Sequence, residues 1–202
     1  MTYRPSARDA KTSSGTSYRD LTAESDALVF DTGPLRHFAH QGWLGVLHFV
    51  AGERAVVIPE SVERELNHQI EDMATLRQVL EAPWIVVDRS DDIAFVAAFA
   101  RYEERLAVGL NNRGECGVLA LGAIRGYEVV LDDNVARNIA TGEGLRVTST
   151  LALLCNAIRE GQLTVPLVEA LADDLIIGDY YLPFGRGGFR RWACEEGLID
   201  YF

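Results

Sequence analysis

Glu128-Val129-Val130-Leu131-Asp132-Asp133 is a short apolar run that ends abruptly on two carboxylates. Leu28-Val29-Phe30-Asp31, much earlier in the chain, has the same form: consecutive β-prone residues and then an acid. Apolar runs without polar alternation suit strands of a parallel sheet, which is covered on both faces. Acids that directly follow such strands fall along one edge of the sheet, the carboxyl edge where these folds bind their ligands.

Outward from this pair, the same alternation of short strands and helices recurs. Ala55-Val56-Val57-Ile58 and Trp84-Ile85-Val86-Val87 read as two further strands, the latter with Asp88 at its end, and Leu145-Arg146-Val147 as a short last one. Helices are predicted from near Leu35 to Gly52, from Pro59 and Ser61 onward, weakly over Met73 to Leu80, and over Ile93 to Leu106. In the last of these the apolar residues are Ile93, Val96, Ala97, Ala100 and Leu106. Asn111-Asn112-Arg113-Gly114 reads as a loop, followed by an apolar helix from Glu115 to Ile124 whose glycines let other backbones approach closely. Asn134 to Thr141 and Leu151 to Ile158 complete the pattern. The fold class expected is α/β: a three-layer α/β/α domain with a mostly parallel central sheet.

With 202 residues the chain is long enough for one substantial core with extensions. Residues 1–24, poor in large aliphatics, are expected to form a flexible tail, 25–165 the α/β domain, and 166–202 a C-terminal extension with one more helix at Val168 to Ile177. In that extension Tyr180, Tyr181, Phe184, Phe189 and Trp192 are interleaved with Arg186, Arg190 and Arg191, a mixture that either stacks on bases and holds RNA phosphates or packs over the domain or a subunit neighbour. The N-terminal segment lacks the apolar run of a signal peptide, so a cytoplasmic protein is expected. Cys116, Cys155 and Cys194 are far apart and odd in number, which suggests reduced core thiols. The histidines, including the His37 and His40 pair, read as partly exposed helix residues without a ligand set. A net charge of −11 disfavours a broad polyanion-binding face and points to a small, metal-assisted site or a basic partner.

On the helix after Pro59, Glu65 shares the stripe of Val62, Leu66, Gln69 and Ile70, whereas Glu60, Glu63 and Glu71 point away from it. A carboxylate on a core-facing stripe costs several kcal/mol (about 3–5) unless something pairs with it. Glu115 stands in the first turn of its helix, where the dipole favours an acid. Taken singly, each acid has an ordinary reading: Asp31 and Asp133 as helix caps, Glu115 as a dipole partner, Glu65 as a surface residue. Taken together, Asp31, Glu65, Glu115 and the Asp132-Asp133 pair meet on one edge of a parallel sheet, where they would repel one another without a cation. Oxygen-only sites select Mg²⁺ or Mn²⁺, and hydrolysis of phosphodiesters by metal-activated water is the chemistry such a site serves.

In this order, Val29-Phe30-Asp31-Thr32-Gly33-Pro34-Leu35, Ile58-Pro59-Glu60-Ser61-Val62-Glu63-Arg64-Glu65-Leu66, Gly114-Glu115-Cys116-Gly117 and Val130-Leu131-Asp132-Asp133-Asn134 resemble the PIN-domain ribonucleases, and most of all the VapC-type toxins of toxin-antitoxin pairs. The resemblance covers about residues 26 to 162. It implies a Mg²⁺- or Mn²⁺-dependent endoribonuclease whose catalytic and metal-binding acids are Asp31, Glu65, Glu115 and one of Asp132 and Asp133. It also implies an RNA substrate, a cognate antitoxin protein and a homodimer. Ser149 stands where the family's last strand-to-helix turn more typically has glycine. The competing expectation is a PIN-like scaffold used for binding, with little or no nuclease activity. An aspartic-protease reading of Phe30-Asp31-Thr32-Gly33 fails because that turn needs an all-β chain, and this one turns helical after Pro34.

Overall fold

The computed structural model describes residues 26–106 and 112–200. The expected tail over residues 1–24, and Asn111, lie outside them. Five parallel strands form one sheet in the order β3-β2-β1-β4-β5: β1 (Ala27–Phe30), β2 (Ala55–Pro59), β3 (Ile85–Asp88), β4 (Glu128–Val130) and β5 (Val147–Thr148). Leu28, Val29, Phe30, Val129 and Val130 are fully buried, as expected of central parallel strands.

Strand order runs one way from β1 to β3, then reverses to β4 and β5 on the other side of β1. Right-handed crossovers therefore put the connecting helices on opposite faces, which gives the three layers. The reversal leaves a crevice between the carboxyl ends of β1 and β4. Phe30 is level with Val130, so Asp31 stands beside Leu131 at that crevice, with Asp132 and Asp133 next along.

The first helical stretch is α1 (Thr32–His40) and α2 (Leu44–Ala51), divided where an uninterrupted helix was expected. Gly42 is left-handed (φ 77°) and the Trp43 amide donates to Phe38 O at 2.7 Å, closing α1 before α2 begins. After β2 comes α3 (Glu60–Gln69), then a 3₁₀ turn (Ala74–Leu76), the one-turn α4 (Arg77–Leu80) and, beyond β3, α5 (Ile93–Leu106).

The buried face of α5 keeps only Leu106 of the expected apolar set. Ala98, Tyr102 and Leu106 face inward, whereas Ile93 and Val96 are 88% and 55% exposed. Tyr102 decides the phase: its ring is buried while its hydroxyl donates to Glu143, which also receives Arg101 and Arg105.

Helix α6 (Arg113–Arg125) starts within the expected loop, because left-handed Asn112 (φ 70°) turns the chain one residue before Arg113. It packs against β1, β2 and β4 and is buried on nearly every side. Glycines permit this approach: a Cβ at Gly117 would stand 2.9 Å from Pro59 as well as strike Ser61, and one at Gly122 would stand 2.6 Å from Val129.

The chain ends with α7 (Asn134–Gly142), α8 (Thr150–Arg159), α9 (Val165–Ile177) and α10 (Phe189–Glu195). Leu145 and Arg146, expected in the last strand, precede it, since the Leu145 amide still closes α7 on Ala140 O at 2.9 Å. All three cysteines are free and buried, as anticipated. No helix of the described residues is long and apolar enough to cross a membrane.

Helix propensity alone would favour alanine at Gly122 by about 1 kcal/mol. The contact with Val129, a β-branched residue locked in a central strand, outweighs it. Gly122→Ala should therefore lower unfolding free energy by roughly 1–3 kcal/mol, read as a fall in the denaturant midpoint without a change in slope.

Candidate active site

Asp31 leaves β1 in an extended conformation and caps α1, its Oδ2 accepting from the Gly33 amide at 3.4 Å. The capping role read from sequence is thus real, but it uses one oxygen. Oδ1 is buried and has no hydrogen-bond partner among the described residues.

Glu65 is held from two sides. Its Oε2 accepts from Thr32 Oγ1 at 2.5 Å and its Oε1 from the Gly114 amide at 2.7 Å, so the start of α1 and the start of α6 both orient it. Gly114 is the hinge of the arrangement. A Cβ there would lie 2.7 Å from Glu65 Oε2, 2.9 Å from Asp31 Oδ1 and 3.1 Å from Thr32 Oγ1. The missing side chain leaves a small space faced by three oxygens.

These residues open on a cleft of about 440 Å³ that Glu115, Arg36 and Asn112 also line. Burial, reinforced by Glu115 and then Glu65, pushes the Asp31 carboxyl up to about 8, against the pull of the Thr32 and Gly33 amides. Glu115 is raised by burial too, with Glu65 and Asp133 adding to it. Mutual repulsion of this kind is what a divalent cation relieves.

The aspartate pair separates. Asp133 caps α7, its Oδ1 accepting from the Ala136 amide at 2.9 Å, and its charge is the one that Glu115 feels. Asp132 turns toward α8: Oδ1 accepts from the Thr150 amide at 2.8 Å, and Oδ2 from the hydroxyls of Thr150 and Tyr180. Neither aspartate lines the acid cleft. Among the described residues no three His, Cys, Asp or Glu side chains converge as a ready-made ligand cluster.

The sequence presents Tyr180 as one ring of the C-terminal aromatic and arginine mixture, not as a partner of Asp132. Burial, and then the charge of Asp132, hold its hydroxyl well above the usual tyrosine range, so it stays a donor. His37, expected to be partly exposed, is buried against it with ring centroids 4.6 Å apart.

The C-terminal arginines are elsewhere. Arg186, Arg190 and Arg191 do not line the cleft. Arg191 pairs with Glu195 at 2.7 Å, and Phe184, Phe189 and Trp192 cluster on one another, with Phe189 fully buried. Packing accounts for these three rings, whereas Tyr181 is 84% exposed.

A sequence model of the PIN domain matches residues 27–184, which is most of the chain and includes Tyr180. The chain belongs to the PIN-domain family. PIN domains are in general nucleases and typically use divalent metals. No curated protein matches the chain.

The donor set fits such an ion: oxygen ligands only, an orphaned buried Asp31 Oδ1, and the Gly114 space between it and Glu65. The raised Asp31 carboxyl is neutral in both folded and unfolded states below about pH 4, where its contribution to stability is fully present. That contribution is lost as pH rises through the folded value of about 8. In chelator, Asp31→Asn, which keeps a capping side chain, should gain about 2 kcal/mol at pH 8.5, roughly 4–8 °C in Tm, and almost nothing at pH 4. Thermal melts at the two pH values check this.

Proposed function

We propose that this PIN domain is a Mg²⁺- or Mn²⁺-dependent endoribonuclease, the VapC-like toxin of a toxin-antitoxin pair, acting in the cytoplasm. One observation carries the catalytic part of the reading: Asp31 Oδ1, buried and unpartnered among the described residues, faces Glu65 Oε2 across the space left by Gly114. Asp31, Glu65 and Glu115, with Asp133 beside Glu115, would hold the ion. When bound, a hard divalent cation neutralises these carboxylates, acidifies water and offsets charge at the phosphate.

The chain's own groups do the rest. Thr32 and the Gly114 amide fix both oxygens of Glu65, so that no reorganisation is needed on binding. Glu115, whose proton affinity burial raises, would be the group that accepts the proton of an attacking water. Asp132, held by Thr150 and Tyr180, braces the wall between β4 and α8.

A second reading, binding of RNA or protein without cleavage, draws support from Asp132, whose two oxygens already have donors. Calorimetry with Mn²⁺ and cleavage of a mixed RNA pool separate the two. The nuclease reading expects Mn²⁺ binding and cleavage by the wild type. Asp31→Asn and Glu65→Gln should slow cleavage by about 10²–10⁴-fold with folding intact by circular dichroism. A wild type that neither binds Mn²⁺ nor cleaves leaves the binding module; equal cleavage by Asp31→Asn overturns the site.

The toxin role rests on the resemblance of the four motifs. It expects growth arrest on expression, relieved by a small protein encoded in the adjacent reading frame that co-purifies with this chain. Sedimentation tests the homodimer expected on the same ground. Growth unaffected by a protein that cleaves RNA in vitro would remove the toxin role and leave the nuclease.

A further inference from the structure

We propose that Arg36, held in place by His37, receives a phosphate of the substrate strand at the acid cleft. The inference rests on the nuclease reading, and it names the group that admits a polyanion to a cleft walled by Asp31, Glu65 and Glu115.

Arg36 lies on α1 and lines the same cleft as these acids, yet among the described residues it forms no ion pair with any carboxylate. Its one hydrogen bond among them runs from Nη2 to His37 Nε2 at 2.9 Å. Nε is buried without a partner. A guanidinium has five N–H donors in a planar fork and no acceptor; with Nε shut in and one Nη2 proton on His37, the Nη1 and Nη2 end of the fork is what a ligand can reach.

The contact with His37 fixes more than a distance. Because arginine only donates, Nε2 of His37 must accept, and the ring proton sits on Nδ1, from which it donates to Gly178 O at 3.0 Å. The imidazole is therefore neutral and locked at both nitrogens. Burial first, and then the charge of Arg36, lower its proton affinity and keep it so. The backbone carbonyl at the end of α9 thus orients the His37 ring, and the ring orients the guanidinium.

A phosphate suits what remains. It supplies several acceptor oxygens to a charge-assisted fork, and it brings the reacting group beside Asp31 and Glu65. Arg36 would hold the phosphate in the same cleft as Asp31, Glu65 and Glu115, the residues that would hold the ion. His37 touches no substrate atom in this scheme and is a positioning residue.

Two measurements test the proposal on the full chain. The first is anisotropy of a fluorescein-labelled 2′-O-methyl RNA 10-mer in Ca²⁺, which reads binding without cleavage. Arg36→Ala should weaken binding by roughly 10–100-fold, the loss expected for a charge-assisted contact, and Arg36→Lys by less. The second is steady-state cleavage in Mn²⁺, where Arg36→Ala should raise KM and lower kcat/KM by at least a similar factor. His37→Gln, which can still accept from Arg36 and donate to Gly178 O, should behave as wild type. His37→Leu should weaken binding by roughly 3–10-fold, and should add nothing in the Arg36→Ala background.

Thermal melts of each variant separate misfolding from lost affinity. Arg36→Ala that folds and binds the 10-mer as tightly as wild type overturns the proposal, even where cleavage by the wild type upholds the nuclease. If His37→Leu adds its full effect in the Arg36→Ala background, the positioning role falls. A wild type that binds the 10-mer through Arg36 but cleaves nothing would keep the phosphate site and discard the nuclease. A wild type that neither binds nor cleaves discards both.

Discussion

The acid cleft depends on how closely the first turn of α6 approaches the end of β1. Gly114 makes that approach possible: its amide reaches Glu65 Oε1, and any side chain at this position would occupy the space between Asp31 Oδ1 and Glu65 Oε2. The same glycine-lined contact continues along α6 through Gly117 and Gly122, so one helix sets both the depth of the core and the separation of the acids. A constraint of this kind is steric, and it is satisfied before any ligand arrives.

Electrostatics set the opposing demand. The fold gathers Asp31, Glu65 and Glu115 where water is partly excluded, and the outcome is two carboxyl groups, Asp31 and Glu115, shifted upward by burial and by neighbouring acids. The helix starts give part of this back. The N-caps at Asp31 and Asp133 and the first-turn place of Glu115 each put negative charge where amides point outward, so the ordinary roles of these acids and the proposed ones are compatible. A caps-only reading leaves Asp31 Oδ1 unexplained.

The far side of the site is built from the C-terminal part of the chain. Tyr180 donates to Asp132, packs on His37, and follows directly on the turn whose Gly178 carbonyl accepts from the same histidine. The wall of the cleft near Arg36 and the start of α8 beside Asp132 are thus tied to one short segment after α9.

Much of this was legible in the sequence. Uninterrupted apolar runs ending on acids identified the central strands, because parallel strands are buried on both faces. Glu65 stood out as the charge on an apolar stripe, and Glu115 as the acid at the start of an all-apolar helix. These are local signals of period and composition, carried by the chain itself. Tertiary structure alone decided which aspartate of the pair faces Glu115, since Asp132 is claimed by Thr150 and Tyr180, 18 and 48 residues away. It also decided that Tyr102 sets the phase of α5, that the C-terminal rings pack on one another, and that His37 is buried. Each of these turns on a polar group finding a partner distant in sequence, and hydrophobic periodicity holds no information about such partners.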